Sequence, residues 1–348
     1  MKPLAALLLA TPFSAALPAL GRSGNSAPVR VDLEPKLWKL GDVTLPAARW
    51  ETVAGGFPVR HSGGARFATV LEGDVLRADL DGDGHPDARV EGEEASLTLT
   101  GKSPEGNAIR YPVRLARFNG GPWMFSAGGS MTGKVGETPI QIIDQNLNGS
   151  FNDVGEDAVV VGRDAAASFL SKVISVEGKL WSLEVARDGS SMAVEPYSGP
   201  AGLLDLTTLF ESKAKLRAAI VRSRDGKHSF SMAKAKRGLS IPAGEYELVS
   251  GEIVLGDSKA KIARGRSKPI VVPDDGSQVI TWGGPVSAEF QYSREGGMVT
   301  FTPWDLWVYG RLGEEYSSFL PLGKSPEFFV KNKATGESLI HTQLPGNC

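Results

Sequence analysis

The sequence predicts an all-β fold built of two or three β-sandwich-like modules. Three observations lead there: apolar residues alternate with polar ones in short runs, 42 glycines and 22 prolines are spread between those runs, and Asp-Gly pairs punctuate them. Successive side chains of a strand point to opposite faces, so period-two runs bounded by turn residues read as half-buried strands. Leu97 and Leu99 share one face within residues 95–100. Leu216, Ala218 and Ile220 alternate, and His228, Phe230 and Met232 do so beyond the turn Arg224-Asp225-Gly226-Lys227. Asp188-Gly189 and Asp275-Gly276 repeat the hairpin signal. Residues 205–219 alone also admit a helical reading.

Two Pro/Gly-rich stretches, Pro196-Tyr197-Ser198-Gly199-Pro200 and Gly283-Gly284-Pro285, mark module boundaries. The division expected is a leader at 1–19, an N-terminal β domain at 28–198, a sandwich-like module at 201–283 and a C-terminal β module at 284–346. The leader rests on Lys2 followed by the apolar residues 4–10, with small residues at cleavage positions before Leu20. Thr11, Pro12, Ser14 and Pro18 interrupt that run, so it is too short to remain as a membrane span. Secreted or periplasmic placement is therefore expected.

The formal net charge of −2 over 348 residues attracts neither nucleic acid nor an anionic membrane. The single cysteine, Cys348, excludes an intrachain disulfide. An exported chain of this length without disulfides fits a bacterial source, and bound cations are one remaining way to stiffen its loops.

Residues 76–90, LRADLDGDGHPDARV, carry the sharpest chemical pattern. Asp79, Asp81, Asp83 and Asp87 follow D-x-D-x-D-G-x-x-D, with Gly84 at the bend. Calcium takes six to eight oxygen ligands, and carboxylates at alternate positions of a bent loop can converge on one ion. The twelfth position is Val90 rather than a bidentate glutamate, and the flanks are strand-like, so this is an EF-hand-like loop without EF-hand helices. The loop resembles the calcium hairpins of FG-GAP or VCBS-type repeats, dockerins and thrombospondin type 3 repeats over about a dozen residues. The resemblance implies ligation by Asp79, Asp81, Asp83 and Asp87 side chains and a main-chain oxygen of His85. The alternative is a solvated acidic turn held by Asx hydrogen bonds.

A second loop lies in residues 142–161, IIDQNLNGSFNDVGEDAVVV. Asp144, Asn146 and Asn148 keep the alternate spacing, Gly149 takes the bend and Asn152 falls ninth. Asp153, Glu156 and Asp157 stand just beyond and can supply the missing charge. Asparagine carbonyls bind calcium without neutralising it, so weaker affinity is expected, and an Asn/Gly-rich hairpin turn is the competing reading. Asn148-Gly149-Ser150 also matches a glycosylation acceptor, which the disulfide-free composition argues against.

No catalytic motif is recognisable. His61, His85, His228 and His341 are far apart in sequence, and H-E-x-x-H and G-x-S-x-G are missing. Residues 128–134 satisfy G-x-x-x-x-G-K, but Val135 replaces the hydroxyl residue a phosphate loop needs. Glu314 and Glu315 are adjacent and so point to opposite faces of a strand, although an acid from elsewhere could partner either. In residues 301–309, FTPWDLWVY, strand spacing puts Trp304, Leu306 and Val308 on one face. Asp305, Trp307 and Tyr309 share the other, as a glycan-stacking or protein-contact face or as part of a strand buried on both sides. Residues 239–249, LSIPAGEYELV, resemble the carboxypeptidase-regulatory, transthyretin-like β modules over about ten residues, which implies a structural domain; a plain hairpin fits equally.

The reading reached is an exported calcium-binding β protein with a structural or binding role, its partner a protein or glycan at the cell surface. An exported hydrolase of polysaccharide or peptide with a structural calcium, and a surface adhesin or carbohydrate-binding protein, are the rivals.

Overall fold

The alternating runs become strands because a period-two chain buries one face only by pairing with neighbours. In the computed structural model, which describes residues 27–38, 43–300, 306–320 and 327–343, no helix occurs among the described residues. The expected leader lies outside them. Among the described residues no helix is long and apolar enough to cross a membrane.

The first body is made of antiparallel sheets around one core. Glu94–Lys102 pairs with Ala108–Arg117, which pairs with Trp123–Ala127, and Glu51–Thr52 closes that sheet. Leu97 stands opposite Val113 and Leu99 opposite Tyr111, so the face read from sequence is the face that packs. A second sheet runs Glu34–Leu37, Gly129–Val135, Thr138–Ile143, Ala158–Val161, Ser168–Phe169 in spatial order, and a third unites Val29–Asp32, Ser191–Pro196, Lys179–Val185 and Val173–Val176. Asp188-Gly189 sits in the connection of the last hairpin, as expected. Phe57, Phe67, Leu76, Leu99, Trp123, Phe125, Ile140 and Ile142 form the common core.

The second body rests on one long sheet in the order Ser229–Ser231, Lys215–Ser223, Gly244–Leu255, Ser258–Ala263, Glu315–Leu320, Leu306–Tyr309, Ser287–Phe290. A smaller sheet of Leu239–Pro242, Ala201–Asp205 and Ser277–Val279 covers it, and Leu204, Tyr246, Leu248, Trp282 and Tyr316 fill the space between. This is a sandwich-like arrangement.

Four expectations are corrected. Residues 205–219 are not helical: they hold the ends of Ala201–Asp205 and Lys215–Ser223 with Phe210–Glu211 between. Gly283-Gly284-Pro285 does not divide two sheets, because Leu306–Tyr309 and Glu315–Leu320 continue the sheet of Ser258–Ala263. Asp275-Gly276 turns the chain between sheets, since Ile270–Val272 pairs with Gly244–Leu255 while Ser277–Val279 runs parallel to Ala201–Asp205. Residues 239–249 are not a hairpin either. Leu239–Pro242 pairs with Ala201–Asp205, the chain turns a corner, and the buried Tyr246 hydroxyl donates to the Pro242 carbonyl at 2.8 Å to fix it.

The two bodies meet at a small cluster of Ala166, Phe169, Ala218 and Ile220. A main-chain bond crosses there, from Lys172 N to Lys227 O at 2.9 Å, and Phe169 N donates to the Ser229 side-chain Oγ at 3.2 Å.

Trp282 is fully buried and its indole N–H donates to the Leu206 carbonyl at 2.7 Å. Trp282→Ala both opens a cavity and strands that carbonyl, so it should lower the unfolding free energy of the second body by about 4 kcal/mol in chemical denaturation.

Candidate metal centre

The first acidic loop joins Val75–Ala78 to Ala88–Val90, which pair directly, so its ends are pinned by a two-strand ladder. Asp79 begins it, and its side chain is buried. Its Oδ1 accepts from Gly82 N at 2.7 Å and Asp81 N at 3.2 Å, and its Oδ2 accepts from Gly84 N at 3.0 Å. Asp81 Oδ1 accepts from Asp83 N at 3.1 Å and Asp83 Oδ1 from His85 N at 2.7 Å. Asp87 closes the turn by accepting from Leu80 N at 2.8 Å. Gly82 and Gly84 have φ of 80° and 89°, left-handed values that glycine adopts without steric cost.

These bonds bring Asp79, Asp81 and Asp87 together: one carboxylate oxygen from each lies within 4.8 Å of the others. Three hard, anionic oxygens at that separation can hold a metal ion. Asp83 is not part of the trio; its carboxylate shapes the turn. His85 gives its backbone N–H, and its ring is exposed.

The second loop repeats the same ladder. Asp144 Oδ1 accepts from Leu147 N at 2.7 Å and Asn148 N at 3.3 Å, and Oδ2 from Gly149 N at 2.6 Å. Asn146 Oδ1 accepts from Asn148 N at 3.2 Å and Asn148 Oδ1 from Ser150 N at 2.8 Å. The left-handed positions recur too, with Leu147 at φ 64° and Gly149 at φ 79°. What differs is the closing carboxylate. Asn152 is exposed, and the amides of Asn146 and Asn148 instead donate to Asp153 Oδ2 at 3.1 and 2.7 Å. Asp157 then accepts from Asp153 N at 2.8 Å through Oδ2. Among the described residues no second trio of carboxylates converges as tightly as the first.

Electrostatics separate the loops as well. Burial raises the Asp144 carboxyl to about 6, against the Tyr111 hydroxyl and backbone N–H groups that pull it down. Burial pushes Asp157 up to about 9, with the neighbouring Asp144 carboxylate adding to the shift. A sequence reader counting nine residues arrives at Asn152; the short turn that returns Glu156 and Asp157 N–H groups to the Asp153 carbonyl at 3.0 and 2.8 Å is what displaces it.

The remaining candidates do not assemble into a site. Glu314 is buried completely, accepting from Gly283 N at 2.8 Å, Leu312 N at 3.0 Å and the Tyr316 hydroxyl at 3.1 Å, so it is a structural anchor with no surface left for substrate. Asp305 lies outside the described residues. Trp307 is half-buried opposite Glu289, and Tyr309 is buried with the Arg266 guanidinium 4.4 Å over its ring. Residues 128–134 run into the strand Gly129–Val135, where a Cβ on Gly128 would meet the Val113 backbone at 2.5 Å, so glycine there serves strand packing.

No family model matches the chain, and no curated protein or solved structure matches it.

Asp79→Ala leaves three N–H groups without an acceptor and should cost about 3 kcal/mol of stability with chelator present, whereas Asp83→Ala should cost under about 1 kcal/mol, both read from denaturation midpoints. The folded Asp157 carboxyl titrates above its unfolded counterpart, so the folded state binds more protons in the window from about pH 4 to about pH 9. In chelator, stability should therefore fall with rising pH through that window, and Asp157→Asn should flatten the fall.

Proposed function

We propose that the protein is an exported calcium-binding β protein with a structural or binding role outside the cytoplasm. The observation that carries it is the convergence of the Asp79, Asp81 and Asp87 oxygens within 4.8 Å, on a turn whose backbone is already bent around Asp79. All three ligands are hard oxygens without a thiolate or imidazole among them, which favours calcium over zinc or copper. Main-chain carbonyls and water complete so flexible a shell, which suits calcium better than the strict octahedron of magnesium.

The ion's part is electrostatic. Gathered carboxylates repel one another, and a divalent cation turns that repulsion into a cross-link between the start and the end of the loop. The loop then presents a fixed surface to a partner, a protein or glycan at the cell surface, without paying ordering entropy on binding. Export is the reading supported by Lys2 and the apolar residues 4–10.

Calcium bound only by the folded form adds about 2.7 kcal/mol of stability at a concentration one hundred times Kd. The melting temperature should rise with calcium, and the rise should shrink in Asp81→Ala with Asp87→Ala. A wild-type protein indifferent to calcium, or a double variant that responds as fully as wild type, overturns the assignment.

A further inference from the structure

We propose that the second loop is a separate divalent-cation site, formed by the carboxylates of Asp153 and Asp157 with the side-chain oxygens of Asn146 and Asn148, on a turn anchored by Asp144. The decisive atom is Oδ1 of Asp157. Asp157 has no exposed surface, its Oδ2 takes the Asp153 N–H, and its Oδ1 has no hydrogen-bond partner. A buried carboxylate oxygen without a donor is costly and needs an explanation. A cation supplies one.

The side chains around it are already fixed by hydrogen bonds. Asp144 is held by three backbone N–H groups and by the Tyr111 hydroxyl at 2.8 Å, two bonds to each oxygen, so it anchors the turn. Asn146 and Asn148 both reach Asp153, which is tied in turn to Asp157. Each amide oxygen has given one lone pair to a turn N–H and keeps a second for a metal. The carboxylates stand further apart than in the first loop, and a cation would draw them in. Exposed Asn148 leaves a way in from solvent.

The location gives the site its own consequence. A Cβ on Gly155 would meet Gly226 O at 2.8 Å and the Arg222 guanidinium at 2.7 Å, so the far side of this loop presses on the second body. Glu156 also lies 3.9 Å from Arg222. An ion here stiffens the seam between the two bodies.

The test is calcium stoichiometry by equilibrium dialysis and calorimetry, on the full chain. Wild type should bind two ions, and Asp81→Ala with Asp87→Ala should retain one. Adding Asp157→Asn, or the less buried Asp153→Asn should the first fail to fold by circular dichroism, should weaken that remaining ion by about tenfold or more. One wild-type ion lost in the first-loop variant overturns the second site and leaves the first standing. One ion that survives there and falls only with Asp157→Asn or Asp153→Asn supports the second site and overturns the first. No calcium bound by wild type, or affinity unchanged by Asp157→Asn and by Asp153→Asn, overturns the proposal.

Discussion

Each loop hangs on one carboxylate. Asp79 and Asp144 are buried, and a buried carboxylate is tolerable only if its oxygens are saturated with donors. The nearest donors are the N–H groups of the following turn, so the chain must curl around the side chain. Once curled, residues two and four places on have their own side chains bound to the next N–H groups, which fixes where their remaining lone pairs point. The placement of these side-chain oxygens is thus a by-product of satisfying one acid. That is why an aspartate-first, alternate-position pattern produces the same hydrogen-bond ladder in Asp79–Asp81–Asp83 and in Asp144–Asn146–Asn148, although charge and flanking sheets differ.

The two loops also lean on the same short stretch of chain. A Cβ on Gly149 would strike Pro58 O at 2.7 Å and Val59 Cα at 2.8 Å, and one on Gly82 would strike His61 Nδ1 at 2.5 Å. Residues 58–61 are therefore wedged between them. His61 is half of that wedge: its ring packs 4.5 Å from Phe67, and its Nε2 lies 3.0 Å from the Arg66 carbonyl, which makes it a buried spacer rather than a ligand. Phe57 and Phe67 anchor the stretch in the first core through a bridge of two main-chain bonds, at 2.9 and 3.1 Å. Loop shape in one site is mechanically referred to the other through packed side chains.

Local signals were readable in the sequence and non-local ones were not. Period-two alternation located Glu94–Lys102 and its inward Leu99, and Asp-x-Asp spacing located both loops, because each depends on neighbours within a few residues. The carboxylate that meets the Asn146 and Asn148 amides depends on how the chain returns after Gly149, a return that passes close to the second body at Gly155. Counting nine positions reaches the exposed Asn152, whereas the Asn146 and Asn148 amides bond to Asp153. Glu314 shows the same limit. Its partner Gly283 is distant in sequence, and the turn before Glu314 reaches it, with Arg311 N donating to Gly283 O at 2.9 Å. A Gly-Gly-Pro stretch that reads as a linker is here the receptor for a buried acid.

The loops differ in where they keep their charge, and this orders their behaviour. Asp81, Asp83 and Asp87 are exposed, so water and salt screen their repulsion. Asp157 and Asp144 are buried together, where screening is weak and two negative charges are mutually expensive. Such a pair is relieved either by keeping a proton or by taking a cation, and the two compete for the same oxygens. On the proposed reading an ion in the first loop would clip one surface hairpin, whereas one in the second would sit beside the packing of Gly155 and Phe169 against Arg222. The same aspartate-led turn thus stands once at a surface hairpin and once beside the seam between the two β bodies.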